Sequence, residues 1–139
     1  MRAAIETVRT QIGREYPLVI GGERILTEGK LESINPAQRA QVVGKFQKAT
    51  TELAKRAVET AHETFQSWRN TPPEERAQLL FGVAELIRSR KHEMSAWMIH
   101  EVAKSWPEAD GDTAEAIDFL EFYGREMLRY AAPQPLTKM

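Results

Sequence analysis

Few side chains in this sequence are of a type and spacing suited to chemistry. His100-Glu101 matches the start of the His-Glu-x-x-His signature with which a helix offers two imidazoles to zinc. The second histidine position holds Lys104, a cation that cannot complete such a site. His62 and His92 lack a ligand-spaced companion and read as surface or partly buried side chains. Gly21-Gly22 has neither the Gly-x-Gly-x-x-Gly nor the Gly-Lys-Ser/Thr context of a phosphate loop. Glu74 and Glu75 fall in an expected first helical turn, and Arg88, Arg90, Lys91 and His92 at an expected helix end. The helix dipole accounts for both groups. Trp68, Trp97 and Trp106 have helical neighbours at core spacing, which favours packing over a stacking platform. The absence of cysteine excludes disulfides, thiolate metal sites and a cysteine nucleophile within this chain. No catalytic residue and no metal ligand is expected from these patterns.

One carboxylate is harder to dismiss. In "GDTAEAIDFLEFYGREMLRYA", residues 111–131, Glu115 shares a helical stripe with Phe119, Phe122 and Glu126. An exposed acid beside partly buried rings is one reading. A role for the carboxylate itself is the other, and residue pattern alone leaves both open.

The elements that must position Glu115 follow from periodicity. Ile5, Val8 and Ile12 predict a short amphipathic helix over 2–13, stopped by Gly13. Apolar runs on either side of Gly21-Gly22 predict a β-hairpin over 16–26, because glycine tolerates the positive φ of a tight turn. Ser33-Ile34 reads as a strand end before the turn at Asn35-Pro36, and 41–46 as one more short strand.

From Thr50 the pattern turns helical. The first long helix, capped by Thr50 or Thr51, bears Leu53, Ala54, Ala57, Val58, Ala61, Phe65 and Trp68 on one side. Thr71-Pro72-Pro73-Glu74 predicts a capping box opening a helix that carries Ala77, Leu80, Phe81, Ala84 and Ile87. A third segment over 92–103 carries Met94, Trp97, Met98 and Val102. Ser105-Trp106-Pro107-Glu108 repeats the box and opens a last helix to Tyr130. Its expected buried stripe is Ala109, Thr113, Ala116, Ile117, Leu120, Tyr123 and Met127, and the tail 132–135 is expected to be non-helical. The chain is thus mostly helical with a small N-terminal β portion. Two or three short strands are marginal alone and need a larger sheet or covering helices.

A length of 139 residues fits one domain, and a net charge of −1 gives no reason to expect nucleic acid or an anionic membrane as partner. No apolar run approaches a membrane span, and the N-terminus has neither a secretory apolar segment nor an acid-poor transit composition. A soluble, cytoplasmic protein is the expectation.

Several stretches together are similar to a known family. "YPLVIGGERI", "SINPA", "VVGKFQKATTELAKRAVETAHETFQSWRNTPPEERAQLLFGVAELIRSRKHEM" and "HEVAKSWPEADGDTAEAIDFLEFY" resemble the N-terminal part of an aldehyde dehydrogenase. More narrowly they resemble the L-glutamate γ-semialdehyde (1-pyrroline-5-carboxylate) dehydrogenases of proline catabolism, over Tyr16 to Tyr130, with "AEAIDFLEFY" the most specific element. Two positions depart from the pattern: Ala103 stands before Lys104 where glycine is usual, and Gly124 where alanine is usual. The resemblance implies an α/β fold of which residues 1–139 are an incomplete N-terminal portion of the NAD-binding domain: hairpin and short strands over 16–47, helices over 50–130.

It also implies the chemistry of the whole enzyme: a cysteine thiolate attacks the aldehyde, hydride passes to the nicotinamide, and water hydrolyses the thioester. In the family the nucleophile, the base and the oxyanion asparagine come from sequence beyond the region resembled. By the resemblance, Glu115 matches a glutamate at the substrate pocket near the amino-acid end of the semialdehyde, with Phe119 and Phe122 expected to pack in the core first and contact substrate second. NAD is implied for the complete enzyme, with no tight binding expected by this chain alone. The implied partners are the remainder of the dehydrogenase fold and further copies in a homo-oligomer. The competing expectation is a non-catalytic helical interaction module, or a remnant, that associates with itself or with a full-length enzyme.

Overall fold

A computed structural model describes residues 1–135; the last four residues of the expected 1–139 span lie outside the described residues. The chain runs α1 (Arg2–Arg9), β1 (Arg14–Tyr16), β2 (Leu18–Ile20), β3 (Glu23–Ile25), β4 (Lys30–Ile34), β5 (Val42–Gln47), α2 (Thr51–Trp68), α3 (Pro73–Ser89), α4 (Lys91–Val102) and α5 (Trp106–Ala131). The mixed, mostly helical fold expected from sequence is the one formed.

Gly21 and Gly22 both take positive φ, 59° and 82°, and join β2 to β3 with Ile20 opposite Glu23. Two left-handed residues in a two-residue loop match the right-handed twist of the strands they connect. The hairpin is shorter than expected, 18–25 instead of 16–26. Pro17 has no N–H to give a ladder, and Tyr16 leaves the hairpin for β1. There it pairs parallel to β5, with Tyr16 opposite Phe46 and the two rings stacked at 5.3 Å. β4 pairs antiparallel on the other side of β5, which gives a three-stranded sheet in the order β1-β5-β4.

The first helix ends at Arg9 rather than at Gly13. Thr10 and Gln11 donate their N–H groups to Thr7 and Val8, three residues back, and tighten the chain into a turn. Gly13, at φ 83°, then redirects it and donates its N–H to Val43 O at 2.9 Å. Ile5 and Val8 of α1 pack on Ala96 of α4 as a small core, bordered by Met1, Ala4, Trp97 and Ile99.

Thr50 caps α2, accepting from Leu53 N–H at 3.3 Å. Ser105 and Glu108 form a full capping box on α5. The box expected at Thr71 does not form. Pro73 forces the preceding Pro72 into an extended conformation, ψ 142°, so the helix begins one residue too late for the threonine hydroxyl to reach its N–H groups.

The main packing seam lies between α3 and α5. Ala77 and Ala84 of α3 are buried, as are Ala109, Thr113, Ile117 and Gly124 of α5. Gly124 lets the Phe81 ring lie against the α5 backbone; a Cβ at 124 would come within 2.8 Å of Phe81 Cζ. The buried stripe of α5 is therefore rotated from the expected one. Ala116 and Tyr123 are exposed, Leu120 and Met127 half-buried, and Gly124 is inside. Between α4 and α5 the Ser95 and Thr113 hydroxyls meet at 2.9 Å in a buried contact. On α4 Val102 is exposed, and the buried positions are Ser95, Ala96 and His100.

The apolar side of α2 is mostly open. No residue of α2 is buried; Val58 is 69% and Phe65 51% exposed, and Trp68 is also exposed. Its neighbours are the β2–β3 hairpin residues, including Ile20 and Gly21 beside Ala57 and Thr60. Periodicity located this apolar face correctly; apart from half-buried Leu53 and Ala57 it is open among the described residues.

Ala103 ends α4 in the left-handed region, φ 55° and ψ 32°. This conformation brings a Cβ against the following carbonyl at roughly 1–2 kcal/mol, a cost that glycine avoids. The glycine usual here in the resembled family has a physical reason. Ala103→Gly is expected to stabilise the chain by about 1 kcal/mol, read as a raised urea midpoint at unchanged slope; an unchanged or lowered midpoint would contradict the strain.

Candidate substrate-recognition stripe on the last helix

The long amphipathic run after the Ser105–Glu108 box makes α5 a single helix, and the buried Thr113 and Ile117 fix which side faces α3 and α4. That orientation leaves Glu115 exposed, with Phe119 one turn later and Phe122 beyond it. The two phenylalanines are not in the core: Phe122 is 55% exposed and Phe119 is comparably open. They form an aromatic row through Tyr123, which stacks on Phe119 at 6.0 Å and meets Phe122 edge-on at 5.3 Å. Beside the row, Leu80, Val83 and Ile87 of α3 complete an open apolar groove with Ala116, Phe119 and Leu120. Met127 and Tyr130 continue it toward the end of α5.

The acids of α5 are not alike. Glu108 is engaged in the capping box, and hydrogen bonds from the Ser105 hydroxyl and N–H hold its carboxyl below the usual range. Asp110 pairs with Lys91 at 2.8 Å, and that contact likewise lowers its pKa. Asp112 pairs with Lys104, Glu121 with Arg88 and Arg125, and Glu126 with Arg129. Among the described residues, Glu115 and Asp118 have no cation within ion-pair distance. Glu126, which shares the stripe with Glu115, is thus neutralised within its own helix. Glu115 stands beside exposed aromatic surface without a counter-charge among the described residues.

The other residues considered from sequence fall elsewhere. His62 is exposed on α2 and His92 is exposed near Asp110, at 3.9 Å. His100 is buried under α1, and Lys104 ties the α4–α5 junction to Asp112. The basic group at the end of α3 is matched to acids: Arg88 to Glu85 and Glu121, Arg90 to Glu93, Lys91 to Asp110. Trp68 and Trp106 are exposed instead of packed, and only Trp97 is half-buried. Among the described residues no three metal-binding side chains come together, and no helix is long and apolar enough to cross a membrane.

Sequence reasoning missed the Lys104–Asp112 tie, although a cation just before a cap and an acid in the second turn were visible signals. It also missed the burial of His100, which depends on α1 folding back over α4.

A dinucleotide pyrophosphate is ordinarily cradled where a strand passes through a glycine-rich turn into a helix N-terminus. The passage from β5 to α2 runs through Lys48-Ala49-Thr50, and the Thr50 hydroxyl already accepts from Leu53. The described residues do not provide a fit for that group.

Comparison with known proteins gives this stripe a context. Residues 25–137 match the aldehyde dehydrogenase family. The chain is 58% identical over 127 residues to a 1-pyrroline-5-carboxylate dehydrogenase of Geobacillus thermodenitrificans, covering 91% of this chain and 25% of that one. It is 55% identical over 125 residues to 1-pyrroline-5-carboxylate dehydrogenase 1 of Halalkalibacterium halodurans, covering 90% and 24%. The fold superposes on the Thermus 1-pyrroline-5-carboxylate dehydrogenase with bound NAD at a TM-score of 0.93 and 43% identity, over 99% of this chain and 27% of that one. The Mycobacterium tuberculosis counterpart gives 0.88 at 26% identity, again over 99% and 27%. The chain spans about a quarter of the length of the curated relatives it matches. Family match, identity and superposition agree: this chain belongs to the aldehyde dehydrogenase family.

Proposed function

We propose that this chain is the N-terminal portion of the NAD-binding domain of a dehydrogenase that oxidises L-glutamate γ-semialdehyde to glutamate in proline degradation, and that it supplies substrate recognition but not the chemical step. The observation that carries the reading is Glu115: a carboxylate with no cation partner among the described residues, on an exposed aromatic stripe, in a chain 58% identical to a protein named 1-pyrroline-5-carboxylate dehydrogenase. In a cleft closed by the rest of the fold, such a carboxylate attracts the ammonium group of the semialdehyde, while Phe119 and Phe122 exclude water around it.

The covalent step requires a thiolate, and this chain holds no cysteine. The nucleophile, the general base and the oxyanion donors belong, in this reading, to the three-quarters of the fold that the relatives have in addition. Bound NAD would accept the hydride there; this chain's part is to orient one end of the substrate. The proposed partners are accordingly the remaining dehydrogenase fold and further copies of the same assembly.

A chimera tests the proposal. The matching quarter of the Geobacillus thermodenitrificans enzyme is replaced by this chain, and NADH formation from glutamate semialdehyde is followed. Turnover within about tenfold of the parent is expected, with none from the 139-residue chain alone. A folded chimera without turnover, or turnover by the isolated chain, would overturn the assignment.

A further inference from the structure

His100 is a buried imidazole that the proposed function does not use. It is 7% exposed, near the C-terminal end of α4, and among the described residues its Nε2 has no hydrogen-bond partner. A polar atom buried without a partner needs an explanation, because its desolvation is uncompensated. The surroundings supply one. The groove beside His100 is formed by Arg2, Ile5, Glu6 and Arg9 of α1, together with Ile99 and Trp106. The charged groups facing it come from α1: Arg9 opposes a proton on the ring, Glu6 favours one, and Arg2 lines the same groove. α5 contributes only the uncharged Trp106. Glu6 is already engaged by Arg9 at 2.7 Å, so it is not free to pair with an imidazolium.

We propose that α1 is a releasable arm whose seat on α4 is controlled by proton uptake at His100. The hinge is the turn Thr10–Gly13, which ends in the positive-φ Gly13 and is anchored beyond by the Gly13–Val43 hydrogen bond. The arm's apolar contacts are few, Ile5 and Val8 on Ala96 with a half-buried border, so one unfavourable charge weighs heavily against them.

Burial, followed by the Arg9 guanidinium, holds the imidazole below its ordinary range while α1 is seated. Release returns the ring to water and to its ordinary pKa. Seating is therefore fully favourable above the ordinary histidine value. It weakens as pH falls from there toward the depressed one, about tenfold for each unit of depression.

Hydrogen exchange of the α1 amides in the full chain, corrected for intrinsic rates, tests this at about pH 7.5 and about pH 5. α1 protection should drop at least about threefold at the lower pH, with α3 and α5 unchanged, and His100→Phe should abolish the drop. Three results would overturn the proposal: no drop, a drop shared equally by α3 and α5, or a drop that persists in the variant. If His100→Phe does not fold, imidazole titration of the unsubstituted chain decides. His100 must titrate below the ordinary histidine range, and titration within or above that range ends the proposal.

Discussion

Replacing Glu115 by alanine in the active chimera is expected to raise KM for glutamate semialdehyde by about tenfold or more, while KM for an unsubstituted aliphatic aldehyde changes less than about twofold. A single charge–charge contact at about 4 Å amounts to about 4 kcal/mol at an effective dielectric of about 20. Desolvation of both groups reduces the net to the 1.5–3 kcal/mol typical of hydrogen bonds to charged partners, and about 1.4 kcal/mol is tenfold. Glu115→Gln keeps the length and removes the charge, so it should show most of the same loss. The simple aldehyde has no ammonium group, and its binding should not register the change. Equal effects on both substrates would remove Glu115 from the recognition site and leave it a solvated acid on α5.

The second large effect is expected in the solution behaviour of the isolated chain. Two apolar faces are open. One is the side of α2 that bears Val58, Phe65 and Trp68, and the other is the α3–α5 groove with Phe119, Phe122, Tyr123 and Tyr130. Folded monomers rarely leave contiguous apolar patches beyond a few hundred Å² open to water, and such surface is covered at about 25 cal/mol per Å². The well-covered parts of the chain are small by comparison: the α3–α5 seam and the α1–α4 cluster, built largely from alanines and a few β-branched residues. The isolated chain should therefore bind hydrophobic dye and self-associate at micromolar concentration, and joining it to the rest of a dehydrogenase should suppress both.

Local chemistry was legible at the hairpin turn and at one of the two expected capping boxes, the Thr71 box failing because Pro73 holds Pro72 extended. Gly21-Gly22 specified its turn through positive φ, and Ser105 with Glu108 specified the start of α5 through reciprocal hydrogen bonds. What stayed hidden depended on distant partners. Tyr16 looked like the first residue of the hairpin because its parallel partner Phe46 lies thirty positions away in the sequence. Tyr123 and Gly124 exchanged places in the expected core because a ring on α3, Phe81, requires a residue without a side chain opposite it.

For α2 the apolar periodicity was read correctly and the structure leaves most of that face open, since amphipathicity shows that a face needs cover without saying where the cover is encoded. The role assigned to Glu115 had no independent signature in the residues. It came from resemblance, and the structure adds that the side chain is exposed and that its helix neighbours Asp112, Glu121 and Glu126 are matched to cations.

In the proposed function the open faces of α2 and of the α3–α5 groove lie against the remainder of the dehydrogenase fold. The most direct test is covalent side-chain labelling of Phe65, Trp68, Phe122 and Tyr130 in the isolated chain and in the chimera, with dye binding as a parallel readout. The predicted result is strong labelling and dye fluorescence in the isolated chain at low concentration, with several-fold protection of all four rings in the chimera. Rings already protected in a dye-silent monomer, or labelled equally in both proteins, would contradict it.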